Sequence, residues 1–434
     1  MNKHQSYKSS GVEWIGEIPE NWEVRRIKFL FKSIVEKSID GSEELLSVSE
    51  KKGIVPRREL RDENEELTRS ESLEGYLKVQ KDDLVNNIML MWKRGLGFSN
   101  YNGIVSPSYS VFRLNKPNIP SFWNYLLRTD LYITEYRRNS TGVIDSRLRL
   151  YDDSFGDIFS ILPPLQEQLQ IVQYLDEKTE LIDKLISTKE RKITILKQQR
   201  TSVINQVVTK GLNPNVKMKD SGVEWIGEIP EHWKISKLGF YTTKIGSGST
   251  PKGGSEIYPD SGIPFIRSQN VHFNGLRLND VSFIDFETHK SMKGSKVIKN
   301  DVLLNITGGS IGRCCIVEIE GEMNVNQHVS IIRTTLELVN YFLNYILNSD
   351  LGQSQVLFNL TGGNREGLTI EGIRNFRITI PPINEQIQII EHLDSKTKEI
   401  DDLVYLEQKK IDLLKEYRQS LISEVVTGKI KVTN

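Results

Sequence analysis

Arginine, asparagine and glutamine residues are grouped on short glycine-containing segments, several of them beside aromatic residues. In the first half of the chain the candidate binding residues are Lys93, Arg94, Tyr101, Arg147 and Arg149. In the second half they are Arg267, Gln269, Asn270, Asn326, Gln327, Asn364 and Arg365. Arginine pairs bidentately with guanine, asparagine and glutamine pair with adenine, and all three also reach phosphates. As a class these residues predict contacts to DNA, although each one taken alone more often belongs to a solvated loop.

Motifs for catalysis or cofactor binding do not accompany these residues. We find no GxxxxGK phosphate loop, no GxGxxG motif after a strand, no HExxH helix and no CxxC pair. The segment TGGSIGR, from Thr307 to Arg313, has three glycines but no lysine, and it predicts a turn between two strands. We therefore expect no catalytic residue, no metal site and no cofactor in this chain.

The charge and cysteine content limit the class of protein further. The chain has 434 residues with 57 basic and 57 acidic side chains, so its formal net charge is zero. This balance excludes a protein that coats nucleic acid through its overall charge, and a site for a polyanion must be local. Two adjacent cysteines, Cys314 and Cys315, exclude a disulfide framework. Together with the lack of an apolar signal peptide or a long apolar run, they predict a cytoplasmic location.

Two long segments of the sequence occur twice. SGVEWIGEIPENW, which begins at Ser10, recurs with one substitution as SGVEWIGEIPEHW from Ser221. LPPLQEQLQIVQYLDEKTELIDKL, which begins at Leu162, recurs as IPPINEQIQIIEHLDSKTKEIDDL from Ile380. The chain is therefore a tandem of two related halves.

The inserts between the repeated segments, 23–160 and 234–379, share little beyond short echoes such as NYLLRTDL and NYILNSDL. Short apolar or alternating runs bounded by turn residues predict strands at DLVNNIML, YSVFRL, DVLLNIT, HVSIIRT and FRITI. About one helix is predicted in each insert, over SFWNYLLRTDLYITEYRR and over ELVNYFLNYILNSDLGQS. A constant framework with divergent inserts predicts one scaffold that presents two different recognition surfaces.

A heptad pattern of apolar residues follows each proline pair, Pro163–Pro164 and Pro381–Pro382. Its seam positions include Leu175, Ile182, Ile186, Lys189, Ile193, Leu393, Ile400, Val404, Glu407 and Ile411. Each pattern predicts a helix of about 44 residues, or ~66 Å, which needs a partner along its narrow apolar stripe. We predict that the two helices pair antiparallel, a choice favoured by the opposite charges of Lys189 and Glu407 at equivalent positions. The alternative is two separate helices, each packed on its own domain.

The predicted fold class is α+β. Two β-rich mixed domains alternate with two long helices that pair as an antiparallel coiled coil, in a pseudo-two-fold tandem repeat. The predicted boundaries, in chain order, are 1–160 for the first repeat motif and recognition domain, 161–212 for the first helix, 213–220 for a linker, 221–379 for the second motif and recognition domain, and 380–434 for the second helix.

Several of these motifs together resemble the specificity (S) subunits of type I restriction-modification systems. The resemblance is carried by SGVEWIGEIPE-x-W, by PPLQEQ and PPINEQ, and by GSTPKGGSEIYPDSGIPFIRSQNV, and it covers essentially the full chain. The segments KDDLVNNIMLMWKRGLGFSNYNGIVSPSYSVFRL and NDVLLNITGGSIGRCCIV resemble two different classes of target-recognition domain. In that family two variable target-recognition domains alternate with two conserved helical regions, which is the order found here.

The resemblance implies a non-catalytic DNA-recognition subunit. Each target-recognition domain would read one half of a bipartite, asymmetric DNA target. The chain would assemble with two modification (M) subunits, which carry adenine methyltransferase activity and S-adenosylmethionine. It would also assemble with two restriction (R) subunits, which carry the nuclease and translocase activities with ATP and Mg.

Two other functions are compatible with parts of the sequence. The first is a scaffold whose divergent domains bind two other proteins, because the local basic character of the inserts is weak. The second is a self-contained methyltransferase or nuclease, against which the missing nucleotide and cofactor motifs argue. Binding to DNA with and without M subunits separates the first from a recognition subunit, and binding of S-adenosylmethionine by the isolated chain separates the second.

Overall fold

The computed structural model describes residues 3–49, 53–60, 73–144, 148–251, 258–361 and 367–432. Contacts between residues divide the chain into two compact units. Unit 1 comprises Met1–Lys189 with Lys409–Asn434, and unit 2 comprises Glu190–Gln408. Each unit therefore combines one insert with part of both long helices, whereas the boundaries drawn from the sequence separate the helices from the inserts.

Two long helices dominate the helical content. The first long helix is Leu165–Lys210 and the second long helix is Ile383–Val426. Neither contains proline or glycine, and the proline pairs lie just before their first turns. Buried seam residues recur along both helices, and they include Leu175, Ile182, Ile186, Ile193, Leu393, Ile400, Glu407 and Ile411. The heptad prediction is confirmed, and the apolar stripe is what each helix buries.

The two long helices pair antiparallel within the units. In unit 2, Arg200 Nε donates to Asp401 Oδ1 at 3.0 Å and Lys192 Nζ donates to Glu407 Oε1 at 3.0 Å, so the residue number rises along one helix as it falls along the other. In unit 1, Arg418 Nη2 donates to Asp183 Oδ2 at 3.1 Å. These contacts confirm the coiled-coil prediction and exclude two helices that pack only on their own domains. The carboxylate of Glu407, which is buried in the seam, accepts the hydrogen bond from Lys192.

Unit 1 is built on a four-stranded antiparallel sheet. Its strands, in spatial order, are Phe31–Ile34, Tyr109–Leu114, Asp83–Asn87 and Leu96–Phe98. Two-stranded antiparallel pairs are formed by Tyr7–Ser9 with Glu17–Pro19, Glu23–Arg26 with Phe159–Leu162, Leu46–Ser49 with Gly53–Pro56, and Leu77–Val79 with Gly103–Val105. The shorter helices are Ile27–Leu30, Pro120–Leu127, Asp130–Arg138 and Asp152–Asp157.

Unit 2 repeats the four-stranded antiparallel sheet and adds a second, mixed sheet. The repeated sheet has the order Thr242–Ser247, Val329–Thr334, Val302–Asn305 and Cys314–Ile316. The mixed sheet has the order Ser282–Ile284, Ile263–Ile266, Met323–Val325 and Lys296–Val297. Two-stranded pairs are formed by Met218–Asp220 with Glu228–Pro230, Lys234–Lys237 with Arg377–Ile380, Val271–His272 with Gly275–Leu276, and Leu360–Thr361 with Gly367–Leu368. The shorter helices are Phe286–Ser291, Asn340–Asn348, Asp350–Phe358 and Ile370–Arg374.

The helix predicted for each insert is divided into two. Unit 1 has a break between Pro120–Leu127 and Asp130–Arg138, and unit 2 has one between Asn340–Asn348 and Asp350–Phe358. At the second break the backbone of Ser349 is extended, and its hydroxyl accepts from Gly352 N to cap the following helix. The apolar spacing continues across both breaks, so periodicity alone predicted a single helix.

The repeated tryptophan motif fixes each half to the start of its long helix. Trp22 is fully buried, and its Nε1 donates to Glu167 Oε2 at 2.8 Å. Trp233 is equally buried, and its Nε1 donates to Glu385 Oε2, also at 2.8 Å. Both carboxylates lie in the first turn of a long helix, where the helix dipole favours negative charge.

A buried carboxylate–arginine pair recurs in both four-stranded sheets, at the start of one central strand and on the other central strand. Asp83 accepts two hydrogen bonds from the guanidinium of Arg113, at 2.8 and 2.9 Å. In unit 2, Asp301 accepts from Arg333 at 2.7 and 2.8 Å, and it also accepts from Ile298 N at 2.9 Å. Both carboxylates are buried while the arginines keep part of their surface in solvent. The two inserts therefore share a sheet framework that their sequences barely reveal.

We expect the Asp301→Ala substitution to lower the free energy of unfolding of unit 2 by about 2–4 kcal/mol, because it removes the acceptor of three hydrogen bonds and leaves the Arg333 charge without its partner. Hydrogen exchange followed by mass spectrometry, read in peptides from Val329–Thr334, measures this change separately from unit 1. The control is Glu320→Gln, since the exposed Glu320–Lys299 pair should contribute no measurable stability. Equal exchange in the two variants would contradict the prediction.

No helix in the described ranges is long and apolar enough to cross a membrane.

Candidate nucleic-acid interface

Several loops of unit 2 meet where strands of its two sheets end. Four strands end there, namely Thr242–Ser247, Ile263–Ile266, Val302–Asn305 and Met323–Val325. The strand Val329–Thr334 begins there. The loops that follow or precede them, here called the unit 2 edge, are 248–251, 267–270, 306–313 and 326–328. Backbone hydrogen bonds connect these loops: Asn326 N donates to Ile266 O, and Ile306 N donates to His328 O, both at 3.0 Å.

Five of the predicted DNA-binding residues, including Asn270, come together on the unit 2 edge. Arg267 is half-buried and Gln269 is exposed on one loop, while Asn326 is buried and Gln327 is exposed on another. The side chain of Gln327 accepts a hydrogen bond from the Thr250 hydroxyl. Arg267, Gln269 and Gln327 thus offer a guanidinium and two amides on adjacent segments, the groups that pair with base edges.

Two of the predicted residues use their side chains inside the protein instead. Asn270 is 2% exposed, and its amide accepts from Arg267 N and donates to Arg277 O, both at 2.9 Å. Asn326 accepts from His328 N at 3.2 Å. We therefore assign Asn270 and Asn326 to the construction of the loops, in place of the base contacts that their residue type suggested.

Asn364 and Arg365 lie outside the described residues. The strands on either side of segment 362–366 pair with each other. Gly367 forms an antiparallel bridge with Thr307, and Leu368 N donates to Ile306 O at 2.8 Å. The chain therefore returns from this segment directly beside the loop 306–313 of the unit 2 edge.

The glycine-rich segment of the unit 2 edge is a turn between strands. It joins Val302–Asn305 to the antiparallel strand Cys314–Ile316. Gly308 to Gly312 also has the GxSxG spacing of a hydrolase nucleophile, but that motif requires a strand-to-helix turn. Here Ser310 Oγ accepts a hydrogen bond from Asn305 Nδ2 at 3.0 Å, so the hydroxyl holds the loop.

In unit 1 the corresponding edge lies at the end of the strand Asp83–Asn87. Lys93 is exposed there, and its Nζ lies 4.8 Å from the centre of the Trp92 ring. Arg149 is also exposed, and the residue after it, Leu150, donates its N–H to Ile88 O at 2.9 Å. Lys93 and Arg149 are therefore carried by segments that adjoin the same strand end, here called the unit 1 edge.

The other candidates of unit 1 are placed differently. Arg94 pairs with Asp130, and its Nε donates to Arg128 O at 3.3 Å. Tyr101 is 37% exposed on the loop after Leu96–Phe98, at the opposite end of that strand from Lys93. Arg147 lies outside the described residues. Arg94 is thus bound to a neighbouring helix, and Tyr101 is separated from the unit 1 edge.

Tyr109 begins a central strand at the unit 1 edge. Burial raises the pKa of its phenol, while the positive charge of Arg57 opposes this shift. The hydroxyl therefore stays protonated at neutral pH and serves as a hydrogen-bond donor and acceptor.

Comparison with known proteins shows which family this chain resembles. Residues 230–418 match the family described as the type I restriction modification DNA specificity domain. The MjaVIII specificity subunit of Methanocaldococcus jannaschii is 26% identical over 433 residues, covering 96% of this chain and 95% of that protein. The EcoBI specificity subunit of Escherichia coli is 26% identical and covers 69% of this chain and 64% of that protein. Over nearly its whole length the chain is thus similar to specificity subunits of type I restriction-modification systems.

Solved structures show the same fold as this chain. A chain from a structure of the type I R-M system has a TM-score of 0.72 at 15% identity, covering 95% of this chain and 99% of that one. The HsdS subunit from Thermoanaerobacter tengcongensis has a TM-score of 0.54 at 16% identity, covering 95% and 98%. The resemblance seen in the sequence is confirmed, and specificity subunits are the non-catalytic components of these systems. A self-contained methyltransferase or nuclease is therefore set aside.

The chain also has a basic residue near the unit 1 edge that the sequence did not mark as a candidate. Arg137 lies in the last turn of the helix Asp130–Arg138, and its guanidinium is 5.4 Å from the centre of the Trp92 ring. The ring of Trp92 thus contacts two cations, Lys93 and Arg137. The run YRR at the end of the predicted helix could have indicated a DNA-contacting residue. However, basic residues are also common in the last turn of any helix.

Proposed function

We propose that this chain is the DNA sequence-specificity subunit of a type I restriction-modification complex and recognises a bipartite, asymmetric target, one half-site for each insert. The observation that carries the proposal is the repeated sheet framework with unlike edges. The Asp83–Arg113 and Asp301–Arg333 pairs mark equivalent central strands. The strand ends beyond them carry Lys93 and Arg149 in unit 1, but Arg267, Gln269 and Gln327 in unit 2. Different side chains on equivalent scaffolds are what two independent half-sites require.

The chain is neutral overall, and this favours binding to DNA together with partner subunits. The electrostatic part of DNA affinity grows with the number of phosphates that basic residues neutralise. Fifty-seven basic residues are balanced by 57 acidic ones. We therefore expect weak, salt-sensitive binding by the isolated chain and tight binding once the M subunits contribute further basic surface.

The partners follow from the two-fold repeat and the family. Each half offers an equivalent framework, so we propose two M subunits, with adenine methyltransferase activity, and two R subunits, with nuclease and translocase activity. S-adenosylmethionine, ATP and Mg would be bound by those partners, and this chain would hold no cofactor itself. A scaffold that joins two other proteins without touching DNA is the remaining alternative.

Methylome sequencing of cells that carry this chain with its M partner tests the proposal. We expect a split adenine motif with two unlike half-sites, and the absence of a new motif would contradict it. Pulldown of DNA with and without the M subunits distinguishes the scaffold, which would retain its protein partners but no DNA. In a separate binding measurement, the isolated chain is expected not to bind S-adenosylmethionine.

Replacing Arg267 with alanine is expected to relax the preference at one position of the second half-site and to cost about 1–3 kcal/mol of discrimination, because one bidentate contact is lost. The same result is expected for Arg365→Ala. Binding of the M-containing complex to single-base variants of the target measures the effect. Lys299→Ala is the control, since Lys299 lies before the start of Val302–Asn305, at the far end from the unit 2 edge. Equal weakening on all sequences would instead assign these arginines to phosphate contacts.

A further inference from the structure

One central strand of each four-stranded sheet ends with an asparagine. The strands are Asp83–Asn87 in unit 1 and Val302–Asn305 in unit 2. In unit 2 this residue is Asn305, four positions after Asp301, and its side chain is fully buried. In unit 1 it is Asn87, four positions after Asp83 and 6% exposed. The two asparagines occupy equivalent places in the repeated framework, although the loops beyond them differ.

Asn305 ties together two loops of the unit 2 edge. Its Nδ2 donates to Ser268 O at 2.8 Å and to Ser310 Oγ at 3.0 Å. Its backbone N–H donates to Arg313 O at 2.8 Å, and its carbonyl accepts from Gly312 N at 2.9 Å. One buried side chain thus sets the separation between the loop 267–270 and the glycine-rich loop 306–313.

Asn87 plays a similar part with different partners. Its Oδ1 accepts from Met89 N at 3.0 Å, and its side chain is hydrogen bonded to the phenol of Tyr109. Its backbone N–H donates to Gly95 O at 2.8 Å, which closes the loop 88–95 that carries Lys93. In both units, therefore, the strand-end asparagine is bonded to the loop that follows it.

The amide suits the place of Asn305 because it is neutral and its Nδ2 supplies two donor hydrogens, whereas at Asn87 the Oδ1 is the acceptor that is used. A carboxylate of the same shape could not donate to Ser268 O and would bring a charge into a buried site. An apolar side chain would leave the Ser268 carbonyl and the Ser310 hydroxyl without their donor. Residue type and burial together indicate that the hydrogen bonds, rather than the volume of the side chain, are what this position supplies.

We propose that Asn305 and Asn87 are positioning residues for recognition, which set the geometry of the base-reading loops in the second and the first half-site respectively. The inference rests on the proposed function. Asn305 acts through the loop 267–270, which carries Arg267 and Gln269, and through the glycine-rich loop 306–313. Asn87 acts through the loop that carries Lys93. Neither side chain needs to touch DNA.

The experiment compares the methylated motifs directed by complexes that contain Asn305→Ala, Asn87→Ala and the unsubstituted chain. We expect Asn305→Ala to raise methylation of sites with a single mismatch in the second half-site by about tenfold, relative to the cognate site, with the first half-site unchanged. Asn87→Ala should do the reverse. Ser310→Ala removes only one acceptor of Asn305 and should relax the base preference of the second half-site to a smaller degree. This variant replaces Asn305→Ala in the test if Asn305→Ala does not fold.

The control is Asp301→Asn, which weakens the same strand without touching either loop. It should lower the melting temperature and leave the motif unchanged. Uniform loss of methylation at all sites in Asn305→Ala and Ser310→Ala, with an unchanged motif, would assign Asn305 a purely structural role and overturn the inference. Absence of a split motif for the unsubstituted complex would instead overturn the proposed function on which it rests.

Discussion

Exchange of residues 23–160 for the corresponding segment of another specificity subunit is expected to change one half-site of the methylated motif and to leave the other as it was. Unit 1 contains this insert together with the parts of the long helices on which it packs. Its sheet is completed within the unit, so the exchanged segment brings its own edge with it. Methylome sequencing of the hybrid with the same M partner gives the result directly.

Contacts between the insert and the framework decide whether such a hybrid folds. Tyr125 donates its hydroxyl to Asp176 at 2.8 Å, and Ile119 N donates to Gln168 Oε1 at 3.0 Å. An exchanged segment with tyrosine at the position of Tyr125 retains the bond to Asp176. The bond to Gln168 uses the backbone of the insert and does not depend on its side chains. Deleting the Tyr125 bond alone, by Tyr125→Phe, is a control that should leave the motif intact.

The reciprocal exchange of residues 234–379 should change only the other half-site. Tyr345 donates to Asp394 at 2.6 Å and Val339 N donates to Gln386 Oε1 at 2.8 Å, which repeats the contacts of unit 1. If either hybrid alters both half-sites, or neither, the two inserts are not independent readers. The proposal of one half-site for each insert would then be wrong.

The long helices could be predicted from the sequence because their signal is local and repetitive. Apolar residues at heptad spacing, such as Leu175 and Leu393, have no stable place except against a partner. The ion pairs that select the antiparallel arrangement, Arg200–Asp401 and Arg418–Asp183, join residues far apart in sequence. The two pairs occupy equivalent positions in the two repeats. The sequence alone does not show which of the many charged residues face each other across the helices.

The edges could be predicted only in part. Residue type marked Arg267, Gln269 and Gln327, but it marked Asn270 equally, and nothing local distinguishes an asparagine that faces solvent from one that closes a turn. Conversely, residue type did not mark Asn305, which in the sequence looks like one more residue of an apolar strand. Its importance depends on Ser268, which lies in the loop after the strand Ile263–Ile266 of the other sheet. Sequence patterns report which face an element buries, whereas loop contacts depend on how distant elements meet.

Adding one heptad to each long helix is expected to lengthen the spacer between the half-sites, or to abolish activity, without changing the half-sites. Insertion between residues 189 and 190 and between 408 and 409 leaves every contact inside each unit in place. Seven residues keep the seam in register and add about 10.5 Å to a helix, equivalent to roughly three base pairs at 3.4 Å per step. The rotation of DNA over that distance decides whether both half-sites can still be engaged together. The measurement is the spacer in the methylated motif.

A three-residue insertion in the first long helix near Lys189 is the matched control. It would carry Ile193 and Leu196 out of the buried seam and move Arg200 away from Asp401. Because the apolar stripe would then face solvent, we expect loss of the folded pair itself, seen as a fall in the melting temperature. The heptad variant should keep its melting temperature. If it is active with the original spacer, something other than the length of the helices sets the distance between the half-sites.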